Sequence, residues 1–191
     1  YDATPTINCF SNPSQCWTAS ELVVHSGYAT AGSFGPATLY DWAFAVMFAG
    51  DGPTTAQLQG TVDAFPIDPD RTYDENTQMY AFGYPASGKY KGRDLVYCAG
   101  KAFYDPFNSD NTYGLTCDMT GGSSGGGWVS GFDAATGNSD ADSFLSSVNS
   151  YRYSLVNAIH GPKFNAKTEA TWNAAVAAAD NPALRGVIAG P

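Results

Sequence analysis

The stretch Cys117-Asp118-Met119-Thr120-Gly121-Gly122-Ser123-Ser124-Gly125-Gly126-Gly127-Trp128 decides the reading of this 191-residue chain. By composition alone it is a Gly/Ser linker. Its setting argues otherwise, because a linker separates domains whereas this segment is bracketed by a cysteine and by the strand-like Trp128-Val129. The glycines are therefore positional. A serine nucleophile needs backbone N–H groups converging on a developing oxyanion, and neighbouring glycines let the chain turn tightly enough to aim two of them. Gly122-Ser123-Ser124-Gly125-Gly126 supplies such a turn.

Working outward, 43% hydrophobic residues over 20.1 kDa are enough for one sizeable core or two small ones. With 9 Lys+Arg against 18 Asp+Glu, the net charge of −9 repels phosphate backbones and anionic lipid, so no nucleic-acid partner is expected. The longest apolar run, Trp42 to Ala49, is far short of the roughly 20 residues of a membrane helix, so no membrane partner is expected either. Four cysteines, Cys9, Cys16, Cys98 and Cys117, contain no C-x-x-C pair and have only two histidines to join them, which favours disulfides over zinc. Pairing each cysteine with its sequence neighbour closes two short loops, and a loop of the Cys98 to Cys117 size is worth roughly 3 kcal/mol in the chain-entropy model. Disulfides imply an oxidising, extracellular setting and hence secretion. Asp105, Asp110, Asp133, Asp140 and Asp142 show no EF-hand spacing and read as solvated acidic surface rather than a metal site. No cofactor is implied.

Residues 1 to 20 carry Pro5, Pro13 and two cysteines and read as loop. Strands are expected at Glu21 to His25, Asp41 to Phe48, Gln78 to Tyr84, Asp94 to Ala99, Thr112 to Cys117, Gly127 to Gly131 and Ser143 to Tyr151, each rich in β-branched or aromatic residues and bounded by Gly, Pro, Asn or Asp. Many short strands suggest an antiparallel sandwich or barrel. Asn165 to Ala179, with Trp172 and Val176 four apart and Pro182 beyond, reads as one amphipathic helix.

On the Gly122 to Gly126 turn the chain resembles the trypsin/chymotrypsin-like serine endopeptidases, whose G-x-S-G-G motif it matches. It is most similar to the secreted microbial branch carrying C-D-M-T-G-G-S-S-G-G-P-W, with Gly127 where proline is usual and Ser123 where Asp is familiar. The resemblance implies an all-β fold of two antiparallel six-stranded β-barrels, a polypeptide substrate, Ser124 as nucleophile, and the N–H groups of Gly122 and Ser124 as oxyanion hole. Tyr40-Asp41-Trp42-Ala43-Phe44-Ala45-Val46 resembles the strand whose aspartate orients the catalytic histidine, which implies that role for Asp41. Ala81-Phe82-Gly83-Tyr84-Pro85 resembles the G-Y-P strand of the second barrel. Ser147-Val148-Asn149-Ser150-Tyr151 resembles the strand lining the P1 pocket, which implies substrate contacts from Ser147, Val148 and Asn149. Asp118 stands six residues before Ser124, where trypsin-like enzymes place the carboxylate that pairs with P1 Arg or Lys.

The family's base is a histidine in a T-A-[AG]-H-C segment before the aspartate, and this chain has none. His160 follows the serine and reads as an ordinary loop residue, while His25 lies in Val23-Val24-His25-Ser26-Gly27-Tyr28, which resembles a later strand of the family. Tyr1-Asp2-Ala3 resembles the residues directly after the catalytic H-C-V. The chain is therefore expected to begin just downstream of its histidine, with residues 1–65 the C-terminal part of a first barrel and 66–191 a second barrel plus the helix. The missing strands and histidine are expected from a preceding segment, or from a second polypeptide left by a proteolytic nick. Two other readings compete: a catalytically inactive homologue acting as a binding module, and a carbohydrate-binding β-protein. The second explains the 14% aromatic content but not the motif.

Overall fold

The computed structural model describes residues 16–190 apart from 33, 49–57, 63, 70, 72, 110, 140, 141 and 180–185. Alternation in Glu21-Leu22-Val23-Val24-His25 produces strand β1 (Ala19–His25), which turns Glu21, Val23 and His25 inward. Two short helices, α1 (Ser26–Thr30) and α2 (Phe34–Ala37), lead to β2 (Ala43–Met47), which returns antiparallel with Phe44 opposite Val23. A third short helix, α3 (Leu58–Val62), follows.

The middle of the chain builds β3 (Gln78–Gly83), β4 (Val96–Lys101), β5 (Phe103–Tyr104), β6 (Thr112–Thr116), β7 (Gly127–Ser130), β8 (Phe132–Asp133), β9 (Asn138–Ser139), β10 (Leu145–Val148) and β11 (Ala158–Pro162). They pair as a four-stranded sheet in the order β10-β7-β3-β4, a three-stranded sheet β11-β6-β5 and the ribbon β8-β9. Between the two larger sheets lies a core of Met79, Ala81, Leu115, Met119, Trp128 and Ile159. Cys98 on β4 and Cys117 after β6 form a disulfide, Cα to Cα 5.5 Å, that ties one sheet to the other. Cys16 is also disulfide-bonded, whereas Cys9 lies outside the described residues.

Helix α4 (Ala166–Ala179) packs on β1 and β2, and β12 (Gly186–Gly190) pairs in parallel with β1 to complete a sheet of order β12-β1-β2. The end of the chain thus returns to the sheet that began it.

All seven expected strands are present with shifted ends, and the fold is mostly antiparallel sheet. Barrel closure differs from expectation: among the described residues the strand ladders form separate sheets of three, four, three and two strands. Strand β11 also overturns the loop assigned to His160. His160-Gly161-Pro162 looks turn-like, but β11 pairs antiparallel with β6, His160 opposite Gly114, and its proline sits at the strand end where the missing N–H matters least. Helix α4 is buried through Thr168, Thr171, Ala175 and Ala178 rather than through the spacing of Trp172 and Val176, which remain 42% and 46% exposed. Small side chains let the helix approach the sheet closely, and Trp172 packs edge-on against Phe44 instead.

Candidate active site

The Gly/Ser segment is held at both ends by the core, through Met119 on one side and Trp128 on the other, each almost wholly buried. Between them a run of hydrogen bonds fixes the turn: Ser123 N donates to Thr120 O (3.3 Å), Gly126 N to Ser123 O (3.0 Å), Gly125 N to Asn149 O (2.8 Å), and Ala86 N to Gly121 O (2.8 Å). Asn149 uses its whole amide for the same purpose. Its Nδ2 donates to Ser123 O (2.9 Å) and Phe82 O (2.7 Å), and its Oδ1 accepts from Trp128 Nε1 (2.6 Å). Two glycines are required by space. Gly122 has φ +102°, and a Cβ there would lie 2.9 Å from the Ala86 nitrogen; a Cβ at Gly126 would lie 2.0 Å from Phe82 O.

Ser124 stands exposed at the tip of this turn, and among the described residues neither its Oγ nor the N–H groups of Gly122 and Ser124 engage a protein partner. Asp41 and Ser124 line the same cleft of about 400 Å³, together with Val24, Tyr28, Trp42 and Val148. Asp41 comes from the turn before β2, and its Oδ2 accepts a 2.5 Å hydrogen bond from Ser150 Oγ. A second cavity of about 180 Å³ opens on the other side of Ser124 and is lined by Thr120, Ser123, Ser150, Tyr151 and Arg152.

The remaining expected site residues are placed differently. Asp118 lines neither cavity: it is exposed and bonded to Lys89 Nζ and Tyr90 Oη (2.7 Å), which together lower its carboxyl below the usual range. Its charge is answered by these two partners at the exposed surface. Ser147 is fully buried and donates to Pro162 O (2.8 Å), so of the three strand residues only Val148 and Asn149 border a cavity. Ser150 and Arg152 add to the expected set. The substrate-lining segment legible in sequence ends at Tyr151, one residue short of the arginine.

Neither histidine borders either cavity. His25 accepts from Gly27 N through Nδ1 (2.9 Å) and stacks on Tyr40, and burial, then the Lys167 charge, lower its pKa. His160 stacks on Tyr151 inside the second half of the molecule.

No family model matches the chain, and no curated protein matches it. Solved structures do. A thermostable serine protease AL20 from an extremophilic microorganism is 37% identical, with TM-score 0.66, over 83% of this chain and 67% of that one. The protease Anisep from Arthrobacter nicotinovorans is 32% identical, with TM-score 0.68, over 84% and 67%. The chain belongs to the serine protease family. A Glu endopeptidase is similar in fold alone, at 23% identity and TM-score 0.62 over 84% of this chain and 64% of that one.

Beneath the second cavity this serine protease chain carries a buried polar cluster. Asp105 is fully buried, not part of a solvated acidic surface. Its carboxylate accepts from Tyr151 Oη (2.7 Å), Tyr153 Oη (2.9 Å) and Phe107 N (3.0 Å), with His160 Nε2 4.0 Å away. Burial opposes its ionisation, but these hydrogen bonds and the His160 charge hold its pKa below the ordinary value. Burial lowers the His160 pKa against the attraction of Asp105, and His160 Nδ1 has no hydrogen-bond partner among the described residues.

Asp105→Ala would remove the shared acceptor of the buried Tyr151 and half-buried Tyr153 hydroxyls, and is expected to cost about 2–4 kcal/mol in urea unfolding. The two titrations have the same sign. Asp105 contributes stability that is present above its unfolded pKa and lost as pH falls through its folded one. His160 takes up a proton near pH 6.5 when unfolded but only at lower pH when folded, so stability falls as pH drops below about 6.5. The melting temperature should therefore decline from pH 7 to pH 5, and His160→Asn should flatten that slope; an unchanged slope counts against the buried neutral imidazole.

Proposed function

We propose that the protein is a secreted serine endopeptidase in which Ser124 attacks the peptide carbonyl. The observation that carries this reading is the exposed Ser124, on a turn pinned from both sides, sharing one cleft with Asp41. In the reaction an imidazole takes the Ser124 Oγ proton as the C–O bond forms. Asp41, oriented by the Ser150 hydroxyl, stabilises the imidazolium. The amides of Gly122 and Ser124 donate to the oxyanion, a role supported by their lack of any other partner among the described residues. Collapse of the tetrahedral intermediate returns the proton to the leaving amine, and water then hydrolyses the acyl-enzyme.

Because neither His25 nor His160 borders the cleft, the imidazole in this proposal comes from polypeptide preceding Tyr1. Division of the chain at 65/66 would then put Asp41 and Ser124 on opposite walls, the first-barrel remnant facing the second barrel. The disulfide linking Cys98 to Cys117 supports export to an oxidising compartment.

The placement of both histidines also favours a second reading, an inactive homologue that binds peptides without cleaving them. An organophosphonate separates the two in the full-length native protein. The protease acquires one phosphonyl group per chain on the peptide containing Ser124, seen by mass spectrometry; an unlabelled protein is the binding module.

A further inference from the structure

The 180 Å³ cavity beside Ser124 contains a cation that the catalytic scheme does not use. Arg152 lies just past Tyr151, and its guanidinium reaches across the cavity wall to donate to Met119 O (2.7 Å). That bond occupies one of the five N–H donors of the fork. Among the described residues the guanidinium has no carboxylate partner: Asp118 is bonded to Lys89 and Tyr90, and Asp41 to Ser150. Of the hydroxyls around it, Thr120 is engaged with Ser87 O, Ser123 with Thr120 O, Ser150 with Asp41 and Tyr151 with Asp105, which leaves that of Ser124. A side chain entering the cavity therefore meets one unanswered positive charge and no negative one.

We propose that Arg152 makes this cavity selective for an acidic side chain, glutamate or aspartate, on the acyl side of the bond that Ser124 cleaves; the proposal rests on the Ser124 reading. A cavity of about 180 Å³ has room for the five heavy atoms of a glutamate side chain. A carboxylate can take two parallel N–H···O bonds from the free edge of the guanidinium. A lysine or arginine would face a like charge, and an aromatic ring would desolvate the guanidinium without replacing its hydrogen bonds. The overall charge of −9 does not offset this attraction, because salt screens charges farther than about 8–10 Å while the Arg152 contact is direct.

The test uses the full-length protein and peptides identical except for Glu, Gln, Phe or Lys at P1. Glu should exceed isosteric Gln in kcat/KM by about 10- to 100-fold at pH 7, with Lys the poorest. The Glu:Gln ratio should fall as pH drops through about 4.3, where the free P1 carboxyl protonates. Arg152→Gln should bring the ratio to within about threefold, Arg152→Lys should retain part of it, and Arg152→Glu should shift preference toward Lys. Gln cleaved as well as Glu, or an Arg152→Gln enzyme that keeps the ratio, overturns the proposal.

If no peptide is cleaved, the Ser124 reading has failed, and selectivity is read from binding instead. Labelled peptides ending in a C-terminal Glu or Gln are titrated into the Ser124→Ala protein by fluorescence polarisation. Tighter binding of the Glu peptide upholds the role of Arg152, and equal affinity removes it.

Discussion

Ser124→Ala is expected to lower kcat for peptide hydrolysis by about 10⁶-fold, by analogy with removal of the nucleophile from another serine protease. The same change should move the melting temperature by no more than about 2 °C. The two expectations diverge for a structural reason. Ser124 is exposed, and its hydroxyl bonds to no described residue, so folding loses nothing with it. The turn is held instead by the backbone, by Asn149 and by the buried Met119 and Trp128, none of which the substitution touches. Steady-state hydrolysis of a peptide substrate, alongside a thermal melt of the same preparation, checks both halves. Activity within about tenfold of the parent enzyme would remove Ser124 from the mechanism, whatever the melt shows.

Asp41→Asn should follow with a loss of about 10⁴-fold in kcat, the size of the Asp→Asn effect in another serine protease. An asparagine can keep the contact with Ser150, which lies 2.5 Å from Asp41 Oδ2, so the geometry of the cleft survives. What it cannot do is accept from an imidazole N–H with a full negative charge, and its own NH₂ favours the wrong tautomer of the ring. Phosphonate labelling supplies the confirming measurement: the Asp41→Asn protein should label far more slowly but still on Ser124. Labelling at the parental rate would mean that Asp41 does not act through the base.

The turn around Ser124 was legible in the sequence because glycine there answers steric demands that composition displays directly. Gly122 needs a left-handed backbone, and Gly126 leaves no space for a side chain against Phe82 O. The Cys98–Cys117 pairing was legible for a similar reason, since the two cysteines, one on β4 and one just after β6, close a short loop. Asp118 was assigned by motif position alone, and the fold adds partners that position does not reveal. Its distance in sequence from Ser124 matches a pocket carboxylate, while in the fold it is exposed and bonded to Lys89 and Tyr90, almost thirty residues upstream. His160 looks like loop because Gly161 and Pro162 follow it, whereas pairing with β6 buries all five residues of β11. Helix α4 was expected to bury its large apolar residues, yet its small face packs because closeness to β1 and β2 outweighs side-chain size.

The amino-acid sequence by itself determined the serine-bearing turn, the order of Asp41 and Ser124 along the chain, the mostly antiparallel character of the fold and the disulfide between Cys98 and Cys117. These rest on local sterics, alternation and short-range closure, which neighbouring residues specify. Only the tertiary structure decided that Asp41 and Ser124 share a cleft, that Ser150 holds Asp41, that Asp105 and His160 lie buried together, and that Arg152 rather than Asp118 faces the second cavity. Each of these depends on which distant segments pack together. The electrostatics of a site follow from that packing, because a charge acts on what lies within a few ångströms in space, however far away that is along the chain.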